Sequence, residues 1–309
     1  MITDLFNLTV LLGILSSGIR LATPYLYASI GEAFGQRSGV LNLGVEGQML
    51  MGAFTAFYVV VETGNLWLGV LAALAVGALM GLAMAFVTVH LHAKQGISGI
   101  GFYLFGLGMS TLLFQLLIGT VETVRGFPRL DIPLLVDIPF IGPILFSQSI
   151  LVYIAFLLVP VAWFVLNKTT LGLKIRAVGE NPQAADSLGV SVNGVRYFTV
   201  TLGGAFSGLG GASLSIALLN VFQQNMTAGL GFIAVALVYF GGWRPWGVLA
   251  GALLFSMVNA LQLWIQVLGV NIPSELAVMM PYVLTILVLA ASGSKMVAPS
   301  ALTKPFERE

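Results

Sequence analysis

Residues 39–54 read GVLNLGVEGQMLMGAF. The stretch is apolar enough to sit in a bilayer, yet it carries Asn42, Glu46, Gln48 and four glycines. A carboxylate at the bilayer centre costs at least ~2.5 kcal/mol. Such a segment must therefore meet protein or water rather than lipid. On a continuous helix Asn42, Glu46, Met49 and Ala53 share a face. Gln48 lies about 200° from Glu46 at 100° per residue. The polar groups make no single stripe, so non-lipid neighbours are needed on more than one side. Glu46 then has three roles open to it. It can line a translocation path, hold free backbone N–H groups of a broken helix, or pair with Arg20, the one basic residue inside a predicted span.

The rest of the chain fits a membrane setting. Of 309 residues, 58% are hydrophobic and 8% charged, against about 25% charged in soluble domains. Mean hydropathy is +0.99. These values predict an all-α polytopic bundle, one transmembrane domain over 1–309, with no separate soluble domain. A net charge of +1 gives no nucleic-acid footprint. The absence of cysteine excludes disulfides and thiolate metal sites. His90 and His92 read as interfacial residues rather than metal ligands. The start of the chain, MITDLFNLTV, lacks the basic region of a cleaved signal peptide.

A spanning helix needs about 20 apolar residues. Candidate spans are 10–33, 40–61, 66–92, 97–120, 144–166, 197–219, 228–241, 246–268 and 275–294. The 228–241 segment is short and reads as broken or re-entrant, which is tolerated only inside protein. Lys and Arg set the orientation. With 167–196 cytoplasmic, Arg37, Lys94, Lys168, Lys174, Arg176, Arg196, Arg244, Lys295, Lys304 and Arg308 lie inside, and only Arg125 and Arg129 lie outside. The loop at about 121–143 is then extracellular. Pro24, Pro160 and Pro281 fall inside spans and predict kinks. Gly77/Gly81, Gly204/Gly208 and Gly247/Gly251 predict close helix packing, within the subunit or against a second one.

The cytoplasmic loop contains GENPQAADSLGV, residues 179–190. Asn181 suits an N-cap and Pro182 the first helical position. Gly189 can supply a left-handed stop. The sequence thus spells a short helix, too short to persist alone in water, that must pack on its own bundle or on another protein.

Three blocks carry a resemblance. GLKIRAVGENPQAADSLGVSVNGVRYFTVTLGGAFSGLGGA resembles the coupling-loop region of ABC importer permeases of the sugar, nucleoside and branched-chain amino acid group. GVLNLGVEGQMLMGAF and GFIAVALVYFGGWRPWGVLAGALLF (231–255) resemble two further blocks, in the family's order. The first is most similar to nucleoside-type permeases served by lipoproteins of the basic-membrane-protein family. The resemblance implies a multi-pass permease of the bacterial inner membrane that moves nucleosides into the cell, with ribose-like sugars as the alternative. It implies ABC ATPase subunits docked on Gly179, Glu180, Asn181, Pro182, Ala185, Asp186 and Gly189. It also implies a second permease, identical or not, and an extracellular substrate-binding lipoprotein. No G-x-x-x-x-G-K-[ST] motif occurs in the chain, so ATP and Mg are expected on the ATPase, and no cofactor or metal on this chain. Nothing resembles a catalytic constellation. Asn42, Glu46, Gln48, Asn259 and Gln262 are the candidate path residues. The rival mechanism, an ion-coupled secondary transporter, would use Glu46 as a proton carrier.

Overall fold

The computed structural model describes residues 8–133, 135–268 and 297–307, with isolated positions between 276 and 287. The chain forms α1 (Leu8–Arg37), α2 (Val45–Thr63), α3 (Leu66–Ala85), α4 (Gln95–Leu117), β1 (Arg129–Asp131), α5 (Ile141–Leu145) and β2 (Ser147–Ser149). It continues as α6 (Ile150–Lys168), α7 (Thr170–Glu180), α8 (Pro182–Ser187), α9 (Val192–Ser213), α10 (Leu230–Phe240) and α11 (Pro245–Val267). Helices α3 and α9 each end in a π-helical turn, Phe86–His90 and Leu214–Leu218. Among the described residues six helices are long and apolar enough to cross a membrane: α1, α3 with its π turn, α4, α6, α9 with its π turn, and α11. The predicted span 275–294, with Pro281, lies outside the well-described residues.

Helix α9 is the spine, packed on α1, α2 and α3. Its glycines explain how. A Cβ on Gly204 would overlap Gly77 O, and one on Gly208 would overlap Ala73 O. On the other side Gly52 of α2 lies against the Gly208 backbone. Backbones that meet this closely gain dispersion contacts without needing a hydrophobic drive, which lipid does not supply. The Gly77/Gly81 and Gly204/Gly208 faces are therefore used within the subunit. Gly247 likewise packs on Gly241 in the α10–α11 turn. By contrast α4 is the least buried long helix, with Ile97, Leu104 and Leu116 exposed; these are side chains suited to lipid.

The 297–307 segment ties one face together. Ala301 N–H donates to Gly179 O (2.9 Å) and Thr303 N–H to Gly39 O (3.1 Å). Arg196 Nη1 donates to Lys304 O (3.1 Å). Arg37, Arg196 and Lys304 thus share a basic face with α7 and α8. The opposite face carries the β1–β2 hairpin, with Arg129 paired to Ser149, and an isolated Thr123–Val221 bridge. Three predicted starts move by five residues or more; that of 144–166 falls at Ile150, after the short α5 and β2. Helix α9 starts at Val192 rather than 197, because the Ser191 hydroxyl accepts from Gly194 N–H (3.3 Å) and caps it. Helix α2 starts at Val45 rather than 40, for the reason given next.

Candidate functional site: a mid-membrane junction and a capped peripheral helix

Residues 38–44 do not continue a helix. Gly39 takes φ +93°, a conformation that glycine adopts without strain. The Asn42 N–H donates to Glu32 Oε1 (3.0 Å), and Gln36 Nε2 donates to the same oxygen (3.0 Å). Asn42 Oδ1 accepts from Gly44 N–H (2.9 Å), and Asn42 Nδ2 donates to Gln48 Oε1 (3.1 Å). Asn42 therefore lies in a non-helical lead-in, and the expected shared helix face of Asn42 and Glu46 does not form. The buried carboxylate of Glu32, which sequence reading did not single out, supplies an acceptor for this broken backbone. Its network continues through Gln36, whose Oε1 accepts from Trp243 Nε1 (2.7 Å). Trp243 is consequently a core residue, 2% exposed.

Glu46, in the first turn of α2, meets a second break. Its Oε1 accepts from the Thr227 hydroxyl (2.5 Å) and from Gly229 N–H (2.7 Å). Its Oε2 accepts from Gly231 N–H (2.6 Å). Gly229 and Gly231 begin α10, so Glu46 holds the free N–H groups of a half-helix. A carboxylate there also meets the positive end of the helix dipole. Gly231 is required because a Cβ would come within 2.5 Å of the Glu46 backbone. Helix α10 has 11 residues, about 16 Å at 1.5 Å per residue. That is too short to cross a core about 30 Å thick, and its free end is buried inside the bundle, where Gly231 packs on Glu46. Glu46 is 1% exposed. Two of its three contacts are to backbone N–H groups, the second of the roles opened by the sequence. Arg20 does not contact it; its Nη2 donates to Ser17 Oγ (3.4 Å).

Behind this junction lies a cavity of about 300 Å³, lined by Tyr25, Thr227, Ile233, Asn259 and Gln262 among others. The structure thus places Asn259 and Gln262 on an open volume. Asn42, Glu46 and Gln48 do not line it; Thr227, which does, links the cavity to Glu46. Gln48 Nε2 is buried without a partner.

The peripheral helix follows its local sequence closely. Asn181 Oδ1 accepts from Ala184 N–H (3.0 Å), with Pro182 at the first position. At the end, Val190 N–H reaches Ala185 O (3.0 Å) and Gly189 N–H reaches Asp186 O (2.8 Å), with Gly189 at φ +81°. This is a Schellman stop. Pro182 and Ala185 are buried against the bundle. Gly179 packs on Arg37 O and, with Glu180, binds the 297–307 segment; Ser300 Oγ donates to Glu180 Oε2 (3.0 Å). Gln183, Ala184, Ser187 and Leu188 face outward, Leu188 being 84% exposed. Among the described residues no His, Cys, Asp and Glu cluster could hold a metal. His92 Nε2 instead lies 3.1 Å from Phe306 O.

A helical bundle with a helix broken inside its core and a cavity beside the break is a construction that membrane transport subunits use. The chain belongs to the family described as branched-chain amino acid transport system / permease component, which matches residues 14–289. It is 40% identical to a putative glucose ABC transporter permease protein, TsgC13, of Haloferax volcanii, over 96% of this chain and 98% of the relative. It is 38% identical to the guanosine ABC transporter permease protein NupQ of Bacillus subtilis, over 92% and 93%. It is also 38% identical to the nucleoside ABC transporter permease protein NupC of Lactococcus lactis, over 91% and 92%. No solved structure matches. The chain is a transport subunit, a multi-pass protein of the cell membrane.

Proposed function

We infer that this chain is the permease of an ATP-driven importer and that it carries nucleosides inward. The observation that carries the reading is the 38% identity, over nine-tenths of the chain, to permeases named for guanosine and for nucleosides. The cavity at the junction supports it: Asn259 and Gln262 offer amides and Tyr25 an aromatic face, partners suited to a flat base. Nucleosides pass by Asn259 and Gln262, while Asn42, Glu46 and Gln48 keep the wall in shape. A monosaccharide is the second reading, favoured by the 40% identity to a permease named for glucose.

The basic face is cytoplasmic. ABC ATPase subunits, which bind ATP and Mg, dock around residues 179–190, and the exposed edge of α8 from Gln183 to Leu188 is their contact. A second permease completes the membrane part, and a binding lipoprotein delivers substrate to the opposite face around 121–143. ATP binding biases the bundle by its differential contact with α8. The test is a gentle purification of the tagged protein from its native membrane, with mass spectrometry of what accompanies it. An ATPase chain and a second permease are expected. A protein that purifies alone and transports without ATP would return Glu46 to the role of a proton carrier.

A further inference from the structure

Transport through the junction leaves a cluster of cations near α7 unused. Arg37 ends α1, Arg176 lies on α7, and Arg244 immediately precedes α11. The three line one groove of about 820 Å³ with Trp163, Trp246 and Asn167, and none of the residues that line it is acidic. Backbone carbonyls aim two of the guanidiniums: Arg37 Nε donates to Trp243 O (3.0 Å) and Arg176 Nε to Gly172 O (3.4 Å). Each bond uses Nε and leaves the terminal nitrogens for a ligand. The charges that bear on Arg37 are Arg176 and Arg244 against the single carboxylate of Glu180, and Glu180 already accepts from Ser300 Oγ (3.0 Å). Lys168 adds a fourth cation beside the groove, its Nζ 5.9 Å from the centre of the Trp163 ring. Like charges gathered in this way repel one another, so the cluster favours an anion.

The apolar flank of the groove decides which anion. Beyond Trp163, α6 exposes Leu157, Val161 and Phe164, spaced three and four residues apart on one helix face. Beyond Trp246, α11 exposes Leu254, two turns further on. Helices α6 and α11 pack on each other, and both stripes lead from the groove along surface suited to lipid. Trp163 and Trp246 stand at the boundary, 37% and 51% exposed; indoles settle at the headgroup level of a bilayer. A soluble phosphate would use the guanidiniums and none of the apolar flank. A phospholipid uses both. Its phosphate meets the arginines in charge-assisted bonds, and its chains lie along α6 and α11. The cytoplasmic leaflet carries anionic lipid that attracts basic residues beside it, and the basic face of an importer lies on that side.

We propose that this groove holds the headgroup of an anionic phospholipid, which anchors α7, the helix that leads into α8, to the membrane surface. The proposal takes its orientation from the importer reading. The test is native mass spectrometry of the complex purified from its own membrane and then given phosphatidylglycerol, phosphatidylcholine or inorganic phosphate. Arg244 is exposed, so Arg244→Gln keeps the fold; Arg176→Gln is its partly buried counterpart. Lys174→Gln removes a charge from the same α7 outside the groove. The unaltered complex is expected to hold phosphatidylglycerol and not phosphatidylcholine. Each arginine variant should weaken that binding about fivefold, and Lys174→Gln should leave it unchanged. Equal binding of the two lipids, or equal loss in Lys174→Gln and Arg244→Gln, would overturn the site and leave the importer reading, which uptake tests, intact. Binding of inorganic phosphate as tight as that of phosphatidylglycerol would make the groove a soluble-anion site and overturn the lipid. Loss of the ATPase chain from Arg244→Gln, with phosphatidylglycerol binding unchanged, would make the groove a protein contact and overturn the lipid as well.

Discussion

The junction around Glu46 and the peripheral helix α8 solve the same problem by opposite routes. Each is a helix start whose free N–H groups need acceptors. At α8 the acceptor is Asn181, three residues from Ala184. At α10 it is Glu46, which lies 181–185 residues from its partners. Helix α8 meets water, so a neutral local cap is enough. Helix α10 ends inside the bundle, where unmet donors are costly, and a charge brought from another helix serves instead. Charge-assisted hydrogen bonds are about twice as strong as neutral ones. The first arrangement is satisfied within its own short segment. The second pins α2 to α10.

Substitutions should reveal that contrast. Glu46→Leu leaves three donors unmet, at about 1–3 kcal/mol each, and is expected to abolish accumulation in the membrane, read by quantitative immunoblot. Glu46→Gln keeps acceptor oxygen and should accumulate in part. Normal levels of Glu46→Leu would break the comparison. Gly208→Val forces α9 away from Ala73 O. It should destabilise by about 1–3 kcal/mol, seen as a lower Tm of the purified protein. Ala185→Pro removes the Ala185 N–H to Asn181 O bond (3.0 Å) and costs α8 about 3 kcal/mol. It should leave accumulation intact while uncoupling ATP hydrolysis from uptake. Asn181→Ala loses one cap, about 1 kcal/mol, and should only speed hydrogen exchange over 182–190.

The same contrast explains what could be read from sequence. Asn181, Pro182 and Gly189 act within a few residues, so their roles were legible. The broken segment before Phe240 was legible from its length. The roles of Glu46 were narrowed to three but not chosen between, because its partners are remote in the chain. Asn42 was misplaced on a helix because Glu32, ten residues earlier, accepts its N–H, and helical periodicity carries no sign of that bond. The signal for Glu32 was present all the same: a second carboxylate within an apolar run, SIGEAFGQ. Arg20 stood out as a cation inside a span, but its hydrogen bond to Ser17 gave no sign of itself in the sequence.

The most direct test is uptake of labelled guanosine into proteoliposomes that hold this chain with its co-purifying partners. The account predicts accumulation that requires ATP, ceases when the ATPase chain is omitted, and is competed by other nucleosides. Accumulation by this chain alone, driven by a proton gradient in the absence of ATP, would contradict it.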